Sequence, residues 1–293
     1  MCNNSKANRS KSGPGPAKAR GFTLVELVTM LGITALVALT LLPALARSGP
    51  NVRTFQCVNN LRQLQAAWRM YASDNNEFLL VSSDDGTGAA NRTNGAAWTS
   101  THLDYTAKAA NWDPNAGLAQ EPLWPYVGRS AAAYKCPTDE SFVLTSAGVA
   151  RPRIRSMAMN IYFGGFGGGP GGVLPANFRC YFKTSDLSAP GPAQTMLFLD
   201  EREDFVNWGA FYTDMTGYVT NPSLYVLGGA DRPNNLHEGA GNFVFSDGHA
   251  ETHHWQDART FPALYIHSDA GASVSVPRNP DVAWLQTHVT APR

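Results

Sequence analysis

A chain of 293 residues with 43% apolar content holds enough side chains for an ordinary globular core, and is neither disordered nor collagen-like. Its formal net charge of zero hides an asymmetry. Five of the 23 basic residues, Lys6, Arg9, Lys11, Lys18 and Arg20, fall within residues 1–21 with no acid among them, which leaves 18 basic against 23 acidic residues beyond. That mildly acidic remainder excludes a nucleic-acid binder, which needs basic side chains clustered on its folded surface.

After the basic arm, Glu26 is the only charge near the start of an apolar run. Leu27 to Ala46 contains twenty residues without a charge, and at about 1.5 Å rise per residue a helix of them spans about 30 Å, one bilayer core. A single membrane span is therefore expected. The basic cluster before it places the N-terminus in the cytoplasm and residues 50–293 outside. A cleaved secretory signal is the rival reading, with Ala44-Leu45-Ala46 as its small-residue cleavage site. A carboxylate at the edge of such a helix is costly unless another charge compensates it.

Ser48-Gly49-Pro50 interrupts the helical pattern, because proline lacks a backbone donor and clashes with the preceding turn. Beyond it Phe55, Val58, Leu61, Leu64, Trp68 and Tyr71 recur at steps of three or four, the spacing of a helix with one apolar face. Residues 81–120 are rich in Gly, Ala, Asn, Asp and Thr, and read as long loops anchored by Trp98, Tyr105 and Trp112. The tract from Gly164 to Gly172 matches a dinucleotide fingerprint at Gly167, Gly169 and Gly172, but it neither follows a strand nor opens a helix, so it reads as a loop. Thr195 to Leu199 and Gly241 to Phe245 are strand candidates, and Asp281 to Gln286 is a final helix.

His237, Asp247, His249, His253 and His254 invite a zinc-hydrolase reading, which strand geometry weakens. Asp247-Gly248 between two alternating segments predicts a tight hairpin. Along the second strand His249 and His253 lie about 13 Å apart, and His253 and His254 face opposite sides. The hairpin accounts for Asp247-Gly248 without chemistry, and His237 is expected to orient the turn by hydrogen bonding.

Gly21-Phe22-Thr23-Leu24-Val25-Glu26 before an apolar run resembles the processing motif of the type IV pilin and type II secretion pseudopilin family. Cys57-Val58-Asn59-Asn60-Leu61-Arg62-Gln63, Tyr71 to Asn76, Cys136-Pro137-Thr138-Asp139, Arg155 to Asn160, and His237 followed nine residues later by Asp247-Gly248 are similar to segments of prepilin-like families of planctomycete and verrucomicrobial type. The resemblance implies a pilin-like α+β fold, with a long N-terminal transmembrane helix packed on an antiparallel β-sheet carrying large loop insertions. The implied organisation is a leader at 1–21, a transmembrane and assembly helix at 22–46, a kinked helical continuation at 47–80 and an exported globular domain at 81–293.

The resemblance further implies cleavage by a prepilin peptidase between Gly21 and Phe22, methylation of the Phe22 amine, and pairing of Glu26 with that amine on a neighbouring subunit. The implied role is a structural subunit of a secretion pseudopilus or pilus-like fibre, without enzymatic activity. Its partners would be other pseudopilin subunits and the secretion inner-membrane platform. The implied location is single-pass in the inner membrane, with the globular domain in the periplasm.

Cys2 would leave with the leader. Cys57 and Cys136 lie in family-like segments and are expected to form a disulfide, leaving Cys180 unpaired; three buried thiols are the alternative. Major pseudopilins bind calcium near the end of the domain, and Asp200, Glu201, Glu203, Asp204 and Asp247 supply suitably hard oxygens, though no calcium motif matches residue by residue. An anchored glycan-binding module around Trp98, Trp112 and Phe163 is the competing function, and an exported metallohydrolase ranks behind it.

Overall fold

A computed structural model of the chain describes residues 23–47, 49–83, 96–166, 171–172, 174–229, 231–265 and 271–293. The chain divides into two units, residues 1–48 and 49–293. The first contains helix α1 (Leu24–Arg47). Gly21 and Phe22, the expected processing site, lie outside the described residues, as do Gly167 and Gly169 of the glycine tract. Among the described residues no helix is long and apolar enough to cross a membrane. This corrects the expected span over 27–46 and leaves the single-pass inner-membrane placement unsupported.

The second unit opens with α2 (Gly49–Asp74), in whose first turn Pro50 needs no backbone donor. A short helix, α3 (Pro114–Gly117), begins at an Asp113 side chain that accepts from the Asn115 N–H. There follow β1 (Phe142–Leu144), β2 (Ala150–Pro152), β3 (Met157–Asn160), β4 (Gly165–Phe166), β5 (Gly171–Gly172), β6 (Met196–Asp200), β7 (Ala210–Phe211), β8 (Val226–Leu227), β9 (Ala240–Phe245), β10 (Ala250–His254), β11 (Val274–Ser275) and α4 (Pro280–Val289). Five of these strands form the central sheet in the order β10-β9-β6-β3-β7, and the others make three two-stranded pairs.

The sheet is mixed, which corrects the expected antiparallel one: β3 runs antiparallel to β6 but parallel to β7, with Met159 opposite Ala210. The parallel edge arises because the chain leaves β6 through a long polar loop and returns on the far side of β3. β3, β6 and β9 are buried along their whole length, so they are mostly apolar without alternation, and their polar members Asn160, Asp200 and Asn242 are all hydrogen-bonded. The expected helix-on-sheet layer is made by α2, which crosses β6, β9 and β10.

Periodicity places most of α2 correctly. Leu61, Leu64 and Trp68 are buried, and Trp68 meets Phe163 edge to face at 5.7 Å between ring centroids. Phe55 departs from the expected stripe: it is 67% exposed, because three successive steps of three residues carry it about half a turn away from Leu64, onto the face turned from the sheet. At the other end of the unit Asn160 donates to the carbonyls of Met196 (2.9 Å) and Val289 (2.8 Å), joining β3, β6 and α4. The strand candidates near 195 and 241 and the final helix become β6, β9 and α4.

The orientation of α2 makes a direct prediction. Leu64→Ala removes a buried side chain and should cost about 2–5 kcal/mol, whereas Phe55→Ala should stay within about 0.5 kcal/mol. Urea unfolding of the two variants checks this, and equal losses would mean that α2 packs on a different face.

Candidate functional site

Four segments that the sequence spreads across the second unit deliver side chains to one buried point. Cys57 lies on the same face of α2 as Leu61 and Leu64. One turn later Asn60 donates from Nδ2 to the carbonyls of Ala132 (2.8 Å) and Lys135 (2.9 Å), which holds the loop that carries Cys136. The Cys136 N–H donates to Ser156 Oγ at 2.8 Å, fixing that loop against the entry to β3. Asp200 is the last residue of β6, opposite Met157 of β3. His237 enters from the loop before β9, where Glu238 (φ 55°) and Gly239 (φ 82°) turn the chain through the left-handed region.

Cys57, Cys136 and Asp200 are 0% exposed and His237 3%. Their ligand-type atoms all lie within 4.8 Å of one another, and among the described residues this is the grouping of three or more His, Cys, Asp or Glu side chains able to hold a metal ion. His237 Nε2 is 2.8 Å from Asp200 Oδ2 and 3.1 Å from Cys136 Sγ, and the Cys57 thiol donates to Asp200 Oδ2 at 3.4 Å. Around them, Asp200 Oδ1 accepts from the Asn242 N–H at 2.6 Å, and Oδ2 accepts from Asn234 Nδ2 at 3.2 Å. The far nitrogen of the imidazole, Nδ1, is 3.0 Å from Thr54 Oγ1.

Burial works against the His237 imidazolium, but the Asp200 carboxylate and the Cys136 sulfur outweigh it and push its pKa up to about 10. Burial also raises the Cys136 thiol, yet hydrogen bonds from Cys57 and His237 bring it down to about 7. Burial pushes Cys57 well up, and the hydrogen bond it makes to Cys136 adds to the effect. A Cys-His-Asp nucleophilic triad has a different geometry. It needs thiol and carboxylate on opposite nitrogens of the imidazole, whereas here both face Nε2 and Nδ1 is held by Thr54.

Of the residues expected to form a disulfide, Cys57 and Cys136 are brought together as free, buried thiols, and Cys180 is free elsewhere. The five expected calcium ligands do not converge. Asp200 faces the sulfurs, Glu201 meets Asp231, and Asp204 is clasped by Arg202 at 2.7 and 2.5 Å. The Glu203 carbonyl accepts from Arg153 at 2.7 Å, and Asp247 pairs with its neighbour His249 at 2.7 Å in the β9–β10 turn. Contrary to the expectation from the sequence, His237, whose ring contacts Thr54, Cys136 and Asp200, does not orient that turn. Gln65 of α2 does so instead, donating to the Ser246 carbonyl at 3.1 Å, and of the two turn residues Gly248 alone has a positive φ, +102°. His253 stacks on Trp284 at 4.0 Å. Trp98 and Phe163 are core residues rather than a binding surface, with Trp98 Nε1 donating to the Gly209 carbonyl at 2.9 Å.

No family profile, curated protein or solved structure matches the chain.

The residue after Asp200 opens a second polar centre. Glu201 and Asp231 are buried carboxyl against carboxyl, and Asp231 Oδ2 accepts the Tyr212 N–H at 2.5 Å. A cavity of about 330 Å³ reaches Asp231 between Ile161, Phe166, Asn207, Trp208 and Tyr212. Burial pushes Asp231 from an ordinary value of 3.8 up to about 7, and burial followed by the Asp231 charge raises Glu201 well above its ordinary range. The folded chain therefore keeps a proton that the unfolded chain loses as pH rises from about 4 to about 7, so this pair makes stability fall across that window. Asp231→Asn keeps an acceptor for Tyr212 and gives Glu201 a donor. Urea midpoints at about pH 4.5 and about pH 8 should differ less in the variant than in the parent; an unchanged difference would place the shared proton elsewhere.

Proposed function

We propose that the chain is a structural subunit of a pseudopilus or pilus-like fibre, matured by a prepilin peptidase between Gly21 and Phe22 and assembled through α1. The observation that carries this reading is the start of α1. Thr23 Oγ1 and N–H both donate to Glu26 Oε2 at 2.8 Å, and Thr23 Oγ1 accepts from the Glu26 N–H at 3.3 Å, a reciprocal cap that begins the helix directly after Phe22. Leu24, Val25, Leu27, Val28, Met30, Leu31, Ile33, Leu36 and Val37 are all exposed, so over residues 24–37 apolar side chains cover α1 on every side. An apolar helix of this kind lowers its free energy by packing against copies of itself.

In such a bundle Glu26 loses water and needs a cation, and the mature Phe22 amine of the adjacent copy is close to it in sequence position and opposite in charge. The buried aromatic residues once eligible for glycan binding belong to the core of the second unit, and no triad geometry is present at the buried cysteines, which favours a structural role over catalysis.

Glu26→Ala separates processing from assembly. The variant should be cleaved to the same mature N-terminus, read by intact mass, while the assembled fraction, read by cross-linking of single cysteines introduced along α1, should drop by about tenfold or more. Assembly at the parental level would remove the register role of Glu26, and loss of cleavage would assign it to processing instead.

A further inference from the structure

We propose that Cys57, Cys136, Asp200 and His237 form a closed structural site for one zinc ion, which fastens α2 to the sheet. Two sulfurs, one imidazole nitrogen and one carboxylate oxygen make up a donor set of zinc type; the sulfurs exclude calcium or magnesium, which take oxygen ligands. The geometry is close to what the ion requires. Tetrahedral zinc, with about 2.3 Å to sulfur and about 2.0 Å to nitrogen or oxygen, sets its ligand atoms about 3.3–3.8 Å apart. Three of the six separations, 2.8, 3.1 and 3.4 Å, need open by only about half an ångström or less to admit it, and the other three lie within 4.8 Å.

The surrounding hydrogen bonds are those of a prepared site. A zinc-binding imidazole is oriented by the partner of its other nitrogen, and Thr54 Oγ1 holds Nδ1 at 3.0 Å so that Nε2 faces the sulfurs. Asp200 Oδ1 is taken by the Asn242 N–H at 2.6 Å, which leaves Oδ2 turned inward. Asn234 Nδ2 stands 3.2 Å from that oxygen and 4.0 Å from Cys136 Sγ, placed to support both ligands. All four coordination positions come from the protein and all four residues are buried, so no position is open to water or substrate, as a catalytic zinc requires. The ion would join α2, the loop after the Ala131–Tyr134 turn, the end of β6 and the loop entering β9.

The opposing chemistry is a Cys57–Cys136 disulfide, which consumes both thiolates. The test uses the full chain purified without chelator, with its thiols alkylated at lysis to preserve their native state in one portion and zinc measured by elemental analysis in another. One zinc per chain is expected, and replacement by cobalt should give the intense visible bands of a tetrahedral site together with sulfur-to-cobalt charge transfer. Cys57→Ser and Cys136→Ser should lose stoichiometric zinc. Because these variants can also destabilise the fold, Thr54→Val provides an independent reading. It keeps all four ligands and should bind zinc about tenfold or more weakly in competition with a chromophoric chelator. A linked Cys57–Cys136 peptide with no zinc, zinc retained at parental affinity in Cys57→Ser, or an unchanged affinity in Thr54→Val would each overturn the proposal.

Discussion

The folded unit depends on how it buries the carboxylate of Asp200. An ionised carboxylate removed from water costs several kcal/mol unless charges and hydrogen-bond donors replace the lost hydration. Asp200 is wholly inaccessible, and its replacements come from every layer of the unit: a thiol from α2, an imidazole from the loop before β9, a backbone N–H from β9 and two carboxamides, those of Asn234 and Asn242. Each donor fixes the segment that carries it. The Cys57 turn of α2 and the entry to β9 are thereby tied to one side chain, and His237 in turn meets the loop bearing Cys136 at 3.1 Å.

The chain then alternates. Past the end of β6, Glu201 turns to the opposite side and meets Asp231, while Arg202 and Asp204 pair with each other in the interior. Buried arginines complete this polar layer by binding carbonyls rather than acids: Arg153 reaches Glu203 and Val206, and Arg155 reaches Met157, Thr101 and Asn207. Planar guanidinium groups suit this role because one side chain satisfies several loop carbonyls at once. The long connections that the sequence leaves without strands or helices are thereby tied to the central sheet.

Some of this was legible in the sequence for physical reasons that can be named. The helix that carries Leu61 to Tyr71, the strands near 195 and 241 and the last helix carry apolar periodicity or flanking turn residues, and those signals act locally. β7 has two residues and no periodicity, so nothing local announced a parallel edge. Phe55 escapes burial because repeated steps of three, in a helix of about 3.6 residues per turn, drift about half a turn between it and Leu64. Cys57, Cys136 and His237 each stand out within a family-like segment, but nothing local in the chain measures their mutual distance. The acid run at 200–204 looked like a set of calcium ligands because all its members offer oxygen. The two-residue period of a strand sends Asp200 and Glu201 to opposite sides, and arginine takes Asp204.

X-ray absorption at the zinc edge on the full chain distinguishes a metal clasp at the buried constellation from a pair of thiols or a disulfide. A four-coordinate shell of two sulfurs at about 2.3 Å and two lighter atoms at about 2.0 Å is expected. A shell of oxygen and nitrogen alone, or no zinc in the purified chain, would contradict the metal clasp.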